Sequence, residues 1–560
     1  MTSQLTRPET DPHAPRRQPD PLPRWAGPTA GLVSAGSAVA VGLFVAAVLD
    51  VDSPLNAVGS EFIDHTPKWL KDLAIDWFGT NDKLALRLGT VATIAALSLV
   101  VGTVARRRPL IGVAAITVFG LAGAVVAANR PGPAGDLRSA IPAMIGAVCG
   151  AGLMWYLSRR IAATDPAHER PATSRVPDGW DRRRFTAAAA GAAGMAVLAA
   201  ASARRLENNR IERIGAGAPE LPPVAAGTET TTETGGAVDA VTGPDSPLGG
   251  DVSSAAPEIP AEATLSPVTP FITPNDDFYL IDTALSVPRI RLDRWTMTIG
   301  GMVEQPLTLS YDDLLARPQV ERVITIACVS NEVGGNLIGT AVWQGVLLSD
   351  LLDEAGVSPD AEQVFGTSVD GWTCGFPVEV ARDGRDALIA IGMNGEPLPL
   401  RHGFPARVIV PGLYGYVSAT KWLSSLDLTR WDDAVGYWVP RGWSRDAPVK
   451  TQSRIDVPGR SDNLRPGKVA IAGVAWAQQR GIAKVEVRVD DGSWTEARLA
   501  ADVTVDTWRQ WLYEWDATLG EHTIQVRATD STGETQTEEV ARPDPDGATG
   551  WHTRTVRVGG

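Results

Sequence analysis

Long apolar runs occupy the first third of the chain, whereas the last half alternates short apolar runs with turn residues. Four runs of about 17 to 22 mostly apolar residues are each long enough to cross a hydrocarbon layer of about 30 Å. They lie at roughly 28–49, 86–105, 110–128 and 139–158. Because only short polar breaks separate them, the pattern predicts four transmembrane helices over residues 28–160, with residues 1–27 as a polar cytoplasmic tail.

A fifth segment, residues 181–203, begins with the basic run Arg182–Arg184 and continues into an Ala/Gly-rich stretch. It resembles a twin-arginine export signal placed internally, and the alternative is a plain fifth membrane helix with a basic cytoplasmic flank. Arginines also cluster at Arg106–Arg108 and at Arg159 and Arg160, which we expect on the cytoplasmic side. Both interpretations predict a multi-pass protein of the cell membrane whose residues after 203 lie outside the cytoplasm.

No histidine and no ionisable pair lies within a predicted span, although buried haem and proton relays usually need such groups. We therefore interpret the helices as an anchor or docking surface. Residues 204–262 are rich in Gly, Pro, Thr, Ala and Glu and have no hydrophobic period, which predicts a flexible linker.

Two further domains are predicted after the linker. Residues 263–445 alternate β-type runs with helix-like pieces, which is typical of an α+β domain. Its clearest strand candidates are Trp295–Ile299, Val320–Ala327 and Val408–Val410. Residues 446–560 carry short alternating runs separated by turns such as Asp491-Gly492, which predicts an all-β immunoglobulin-like sandwich. The runs are Val469–Val474, Val485–Val489, Trp494–Leu499, Trp511–Trp515 and Thr523–Arg527.

Charge and cysteine content exclude several classes of function. A formal net charge of -14 argues against a nucleic-acid partner, because phosphate binding needs a basic face. Three cysteines are too few for a disulfide framework or a four-thiolate metal site, and the chain contains no CxxCH motif for covalent haem.

Cys328 follows directly on a buried strand candidate and precedes the loop glycines Gly334 and Gly335. Taken alone, it is consistent with an inert buried thiol or with a disulfide to Cys374. A second cluster, residues 397–422, sets Arg401, His402, Arg407 and Lys421 among glycines, prolines and aromatic residues. Such a cluster suits an anionic ligand that approaches the backbone closely.

With these motifs, the chain from about Thr273 resembles the sulfite oxidase family of molybdenum enzymes. The resemblance is carried by Thr273–Tyr279, Ile326–Asn331, Met393–Pro399 with His402–Pro405, and Lys421-Trp422. It implies a molybdenum–molybdopterin cofactor with one pterin dithiolene and with Cys328 as the catalytic thiolate ligand. The residues that it implies for binding the pterin and its phosphate are Asn275, Phe278, Tyr279, Thr367, His402, Arg407, Ser418 and Lys421.

The resemblance implies two-electron oxygen-atom transfer on a small, sulfur-containing substrate, with an external electron carrier such as a cytochrome. It also implies that the immunoglobulin-like domain forms a homodimer. Two alternatives stay open, a sulfoxide reductase on the same fold and a metal-free, membrane-anchored binding module.

The sequence departs from the family where substrate is bound. Glu332 and Ile281 stand where sulfite oxidases carry arginines. A carboxylate near the metal would repel sulfite unless it were protonated or turned away. Arg441, Arg445 and Lys450 could rebuild an anion pocket or belong to an interdomain surface, and Tyr437 and Trp443 both lie near the position expected for an active-site tyrosine. Substrate and direction of electron flow are left open.

Overall fold

The computed structural model describes residues 22–66, 82–129, 137–162, 182–224, 254–288 and 290–559. The chain divides into two compact units, Met1–Arg210 and Ile211–Gly560. Most of the predicted cytoplasmic tail, Asp181 at the start of the predicted export signal, and residues 225–253 of the predicted linker lie outside the described residues.

The first unit is helical in all its described elements. Its helices are α1 Ala26–Leu49, α2 Pro54–His65, α3 Asp82–Ala105, α4 Pro109–Ala128, α5 Leu137–Ala162 and α6 Arg182–Ala216. All except α2 are long and apolar enough to cross a membrane, and they coincide with the four predicted spans and the fifth segment. Helix α6 runs past residue 203 to Ala216, so the linker begins later than the sequence pattern predicts.

Glycines let these helices approach closely. A Cβ atom on Gly31 of α1 would lie 2.0 Å from the carbonyl oxygen of Ser98 in α3, and one on Gly146 of α5 would lie 2.4 Å from that of Ala38 in α1. Small residues at helix contacts are a common way to pack membrane helices, because apolar side chains gain little by leaving lipid. Large apolar side chains such as Val118, Phe119 and Val148 point outward instead.

The second unit begins with a mixed α/β region built around one hydrophobic core. Its strands are β1 Thr296–Gly301, β2 Leu307–Ser310, β3 Val320–Ala327, β4 Ile338–Leu347, β5 Gln363–Ser368, β6 Thr373–Pro377, β7 Leu388–Met393, β8 Glu396–Pro397, β9 Arg407–Ile409 and β10 Leu423–Thr429. Its helices are α7 Tyr311–Leu315, α8 Leu348–Ala355 and α9 Gly415–Ser418. One sheet has the order β2-β1-β10-β5-β6, with β1 and β10 parallel; the other has the order β3-β4-β7-β8, with β9 beside β7.

The strands in the last part of the chain are β11 Gln452–Val457, β12 Gly467–Trp476, β13 Ile482–Val489, β14 Thr495–Glu496, β15 Arg498–Leu499, β16 Arg509–Ala517, β17 Gly520–Asp530 and β18 His552–Val558. They form two four-stranded sheets, β11-β12-β16-β15 and β14-β13-β17-β18, around a shared core. The predicted strand Trp494–Leu499 divides at buried Ala497 into two strands, one in each sheet. The structure also contains strands β11 and β18, which the sequence pattern did not predict.

These sheets brace the outer edge of β3. The backbone N–H of Trp508 donates to Thr325 Oγ1 at 2.8 Å, and the Gln478 side chain donates to the Thr325 carbonyl at 3.0 Å. The Thr325 N–H in turn donates to the carbonyl of Asp506 at 2.9 Å. Because an edge strand leaves backbone groups unpaired, these bonds satisfy β3 and fix the strand that ends beside Cys328.

Parts of the predicted linker also dock here. The side chain of Gln344 donates to the carbonyl of Pro222 at 2.7 Å, and the N–H of Glu321 donates to the carbonyl of Ser254 at 2.7 Å. Leu221 and Ile259 pack against the core of the α/β region. The described residues of the predicted linker on both sides of 225–253 therefore pack against the α/β region.

Candidate functional site

A cavity opens where strand β3 ends and where the segments after β9 meet the residues before β1. It encloses about 750 Å³ of space between protein atoms, some of it open to solvent. The sequence-predicted residues that border it are Phe278, Tyr279, Cys328, Arg407 and Lys421. A concave site lined by aromatic side chains and a few charged groups is typical of binding sites for cofactors and small molecules.

Cys328 is buried at the exit of β3 and borders the cavity. Its N–H donates to the carbonyl of Leu337 at 2.9 Å, and Asn331 Oδ1 accepts the Leu337 N–H at 2.8 Å. These two hydrogen bonds hold the ends of the loop from Cys328 to Leu337 together. Burial raises the pKa of the thiol, while hydrogen bonds from Ser330 and the charge of Lys421 oppose that rise. Cys328 and Cys374 are both free thiols, so the disulfide alternative is wrong.

Two basic side chains border the same cavity as the thiol. The guanidinium of Arg407 lies 5.1 Å from the ring centroid of Trp343 and donates to the carbonyl of His402 at 3.0 Å. The buried Nε of Arg407 has no hydrogen-bond partner among the described residues. Burial lowers the pKa of the Arg407 guanidinium to about 10. The Nζ of Lys421 lies 3.1 Å from Asp282 Oδ2. Basic groups held in this way suit an anionic ligand.

The remaining predicted site residues, Asn275, Thr367, His402 and Ser418, do not border the cavity. The Nε2–H of His402 donates to the Asn275 carbonyl at 2.9 Å, and burial lowers the pKa of His402 to about 4. The hydroxyl of Ser418 donates to the Tyr414 carbonyl at 3.1 Å, and Thr367 lies in β5 opposite Thr373 of β6.

Sequence reasoning missed several residues that border the cavity, namely Asp282, Asp370, Trp372, Tyr416 and Trp438. Neither Tyr437 nor Trp443 borders it, although Trp443 supports two rings that do, at centroid distances of 5.7 Å to Tyr416 and 6.2 Å to Trp438. Tyr416 lies within the cluster of residues 397–422, which was the one available signal for it.

Neither Glu332 nor the basic residues that could replace the family's missing arginines border the cavity. Glu332 is exposed and does not border the cavity, so it is turned away. The Arg445 guanidinium lies 4.5 Å from the Trp431 ring centroid, and Lys450 pairs with Asp546 at 2.8 Å. Arg441 donates to the Tyr437 carbonyl. None of these three basic residues is among the described residues that border the cavity, so they do not rebuild an anion pocket there.

Comparison with known proteins agrees with this site. A family model described as an oxidoreductase molybdopterin-binding domain matches residues 284–438. The chain is 29% identical to mitochondrial sulfite oxidase of Homo sapiens over 320 residues, which are 48% of this chain and 58% of that protein. It is 35% identical to the uncharacterized oxidoreductase YuiH of Bacillus subtilis (strain 168) over 152 residues, which are 27% of this chain and 73% of that protein.

Among solved structures, the sulfane dehydrogenase SoxCD of Paracoccus pantotrophus matches with 26% identity and a TM-score of 0.46, over 59% of this chain and 96% of that one. The chain spans a little over half the length of the mitochondrial sulfite oxidase that it matches, 58%. It belongs to the sulfite oxidase family of molybdopterin-dependent oxidoreductases.

The residues present fit the molybdenum–molybdopterin cofactor of that family. A buried thiol faces a cavity, which suits a soft ligand for a metal held mainly by sulfur. Two cationic side chains border the same cavity, and the buried Nε of Arg407 is a donor with no described partner. A buried donor in that state is costly unless a ligand accepts from it.

Proposed function

We propose that this protein is a molybdenum-cofactor-dependent oxidoreductase that transfers an oxygen atom to or from a small substrate in a two-electron reaction. The observation that carries the proposal is the meeting of the Cys328 thiol with Arg407 and Lys421 in one cavity. When bound, the cofactor supplies the redox chemistry, and the protein supplies position, charge and exclusion of water. Electrons pass to or from an external carrier such as a cytochrome.

We assign the cofactor-binding roles as follows. Cys328 is the thiolate ligand of the metal, and Arg407 and Lys421 bind the phosphate. Phe278 and Tyr279, with ring centroids 5.2 Å apart, form an aromatic wall for the pterin. Asn275, Thr367, His402 and Ser418 do not border the cavity described above, and we assign them to the pterin and its phosphate on the resemblance to the family. His402 is neutral at physiological pH because burial lowers its pKa. A neutral imidazole and amide groups suit the hydrogen-bonding edge of a pterin.

We further propose that the apolar helices of the first unit anchor the protein in the cytoplasmic membrane, with the second unit on the extracytoplasmic side. The supporting observations are the five apolar helices and the basic residues Arg106–Arg108, Arg159 and Arg160 at their ends. The basic start of α6 supports export by the twin-arginine route, which carries folded proteins and therefore suits a cofactor inserted in the cytoplasm.

The two-sheet region after residue 446 is proposed to be the immunoglobulin-like dimerisation domain of the family. Its shared core between two four-stranded sheets supports this assignment. We propose that the protein is a homodimer through this domain.

The test of the proposed function is metal analysis of the full chain, purified in detergent from a host that makes molybdopterin. We expect about one molybdenum per chain by elemental mass spectrometry, together with released pterin fluorescence, and loss of most of the metal in Cys328→Ser. The matched control is Cys374→Ser, since Cys374 is also a buried free thiol but contacts Thr420 Oγ1 at 3.1 Å. A folded wild-type protein with neither metal nor pterin would instead support a membrane-anchored binding module.

Direction of reaction is tested on the same preparation. Sulfite with ferricyanide tests oxidation, and sulfoxides with reduced viologen test reduction. Sulfite is the substrate named for the mitochondrial relative, so activity with sulfite would extend the likeness to substrate.

A further inference from the structure

Arginines are concentrated at one end of the helices of the first unit. This end consists of residues 22–30, 102–112, 155–162 and 182–190. These described residues include nine arginines and no aspartate or glutamate. Leu22, Leu157 and Phe185 pack in one buried cluster, so the start of α1, the end of α5 and the start of α6 lie together. The described part of this end is therefore strongly basic.

Three of the arginines lie at the short segment 22–25 before α1. Arg106, between α3 and α4, donates from Nη2 to the carbonyl of Leu22 at 3.2 Å. The guanidinium of Arg182, at the start of α6, lies 5.8 Å from the ring centroid of Trp25. Arg24 is exposed within the segment itself. Three separate parts of the chain thus bring guanidinium groups to one helix start.

Close packing holds this arrangement in place. A Cβ atom on Gly27 would lie 3.2 Å from the Cβ of Arg106 and 2.8 Å from the carbonyl oxygen of Gly102, so α1 and α3 touch here. The ring of Trp25 lies 5.8 Å from that of Phe185 in α6. The positions of Arg106 and Arg182 at the segment are therefore set by contacts between helices.

The charge of this cluster favours an anion. Arg24, Arg106 and Arg182 form no ion pair with any described residue. Like charges that meet at one place repel each other, and an anion bound between them offsets that repulsion. Guanidinium groups match the geometry of phosphate oxygens, to which they donate in pairs.

The neighbouring apolar side chains indicate where that anion comes from. Trp25 and Trp155 are each 39% exposed at this end, and tryptophan is common at the level of lipid headgroups. Leu110 and Ile111, which closely follow Arg106–Arg108, are 69% and 43% exposed. A phospholipid would cover both the basic and the apolar groups, whereas a soluble anion would cover the basic groups alone.

We propose that Arg24, Arg106 and Arg182, with Trp25, form a binding site for the headgroup phosphate of an anionic phospholipid in the cytoplasmic leaflet. This inference rests on the proposed membrane anchoring and goes beyond the proposed redox function. Basic pockets between membrane helices bind anionic headgroups in this way, and each arginine near the surface contributes on the order of fivefold in affinity.

The test is native mass spectrometry of the full chain in a maltoside detergent. The probes are phosphatidylglycerol and phosphatidylcholine with the same acyl chains, because both carry a phosphate but only the first has a net negative charge. We expect phosphatidylglycerol to bind at least about tenfold more tightly. Arg106→Gln keeps a donor for the Leu22 carbonyl and should weaken phosphatidylglycerol about fivefold, whereas Arg106→Lys keeps the charge and should retain most of the affinity.

Two matched variants separate a discrete site from a diffuse positive field. Arg138→Gln removes an exposed arginine at the opposite end of α5. Arg159→Gln removes an exposed arginine at the basic end, where its guanidinium lies 4.8 Å from the Trp155 ring centroid. Both should change the affinity for phosphatidylglycerol by less than about twofold, because exposed charges away from the headgroup are screened. Arg24→Gln changes an exposed side chain, so its expected loss of about fivefold is measurable even if Arg106→Gln fails to fold.

Equal affinity for the two lipids would overturn the inference, as would equal losses in Arg106→Gln and Arg159→Gln. Displacement of phosphatidylglycerol by excess inorganic phosphate would show a site for soluble anions and overturn the lipid assignment. Carbonate extraction of the membranes that contain the chain keeps the two proposals apart. A chain that stays in the membrane pellet but does not select phosphatidylglycerol refutes the lipid site alone, whereas release of the chain refutes the anchoring and the lipid site with it.

Discussion

The ammonium of Lys421 lies 3.1 Å from Oδ2 of Asp282 in the cavity wall, with side chains that are 9% and 20% exposed. Lys421 also donates to the carbonyl of Arg401 at 3.2 Å. An ion pair this far from water is costly to break from one side, because the remaining charge keeps its desolvation penalty. Asp282 therefore compensates Lys421 in the cofactor-free protein, and a phosphate bound at Lys421 as proposed would share that role.

Asp282→Asn should destabilise the cofactor-free protein by about 1.5–3 kcal/mol, since a charged hydrogen bond is lost near Lys421. The loss should be smaller in the loaded protein, where phosphate supplies negative charge. Thermal unfolding of both forms measures the two losses. The control is Asp293→Asn, which breaks an exposed pair with Arg291 and should lower the stability of both forms less than Asp282→Asn does. Equal losses in both forms would place the phosphate away from Lys421.

Arg407→Lys should weaken cofactor retention on the order of tenfold, even though it keeps the charge. The planar guanidinium stacks on Trp343 and offers its free Nε, and lysine can reproduce neither contact. Molybdenum remaining after extended dialysis measures the effect. Arg322→Lys is the matched control, because Arg322 is also buried in this region but pairs with Asp386 at 2.7 Å. Equal retention by both variants would argue against a phosphate role for Arg407.

The sequence predicts those parts of the fold that depend on local pattern. Spans follow from apolar length, and β3 ends at Ala327 as predicted, because its continuous apolar run is buried on both faces. Strand β11 escaped prediction because buried Gln452 and Ser453 break the apolar alternation. The amide N–H of Gln452 donates instead to the Ala548 carbonyl at 2.6 Å, and the Ser453 hydroxyl donates to Gln536 at 2.7 Å; both partners are far along the chain.

Some residues of the candidate site could likewise be predicted from sequence motifs, and others could not. Cys328, Arg407 and Lys421 stand in recognisable motifs, and the structure brings them to one cavity. Trp372 and Trp438 carry no motif. They border one cavity because the segment after β10 returns along β6, where the N–H of Tyr437 donates to the carbonyl of Thr373 at 3.0 Å, next to the β5–β6 turn. Such proximity depends on tertiary packing, which one sequence does not encode in its local period.

Gly334 lies in the loop after Cys328 and meets His552 from the last strand. Its φ is +77°, and a Cβ atom there would lie 2.4 Å from the imidazole ring. Gly334→Ala should therefore destabilise the protein by about 2–4 kcal/mol through backbone strain and overpacking together. Gly533→Ala, at φ +90° with open space around it, carries the backbone strain alone and should cost about 1–2 kcal/mol.

A double-mutant cycle separates the two causes. If the ring is the obstacle, His552→Ala should recover part of the loss in Gly334→Ala and none of the loss in Gly533→Ala. Urea unfolding of the wild type, the three single variants and the two double variants gives the coupling free energies. Additive losses at Gly334 and His552 would mean that the loop shifts away from the ring at little cost.

The same histidine should make stability depend on pH. Burial, together with Arg554 and Arg454, lowers the pKa of His552 to about 4, and its Nδ1 accepts the N–H of Ile455 at 2.9 Å. The folded state thus binds a proton less readily than the unfolded chain, whose histidine titrates near 6.5. Stability from this group is present above about pH 6.5 and is lost as the pH falls towards about 4.

His552→Gln keeps an acceptor for the Ile455 N–H but cannot titrate, so it should reduce the loss of stability between pH 6.5 and 4.5 by on the order of 1–3 kcal/mol. His402, with its pKa also near 4, contributes a loss of the same sign that remains in this variant. His522 is the opposite control, since its hydrogen bond to Asp490 raises its pKa and its stabilisation is lost as the pH rises. Unfolding midpoints at pH 4.5 and 6.5 measure the effects of His552 and His402, and a third midpoint at a pH above 6.5 measures that of His522. A slope unchanged in His552→Gln would mean that His552 is solvated and titrates normally in the folded protein.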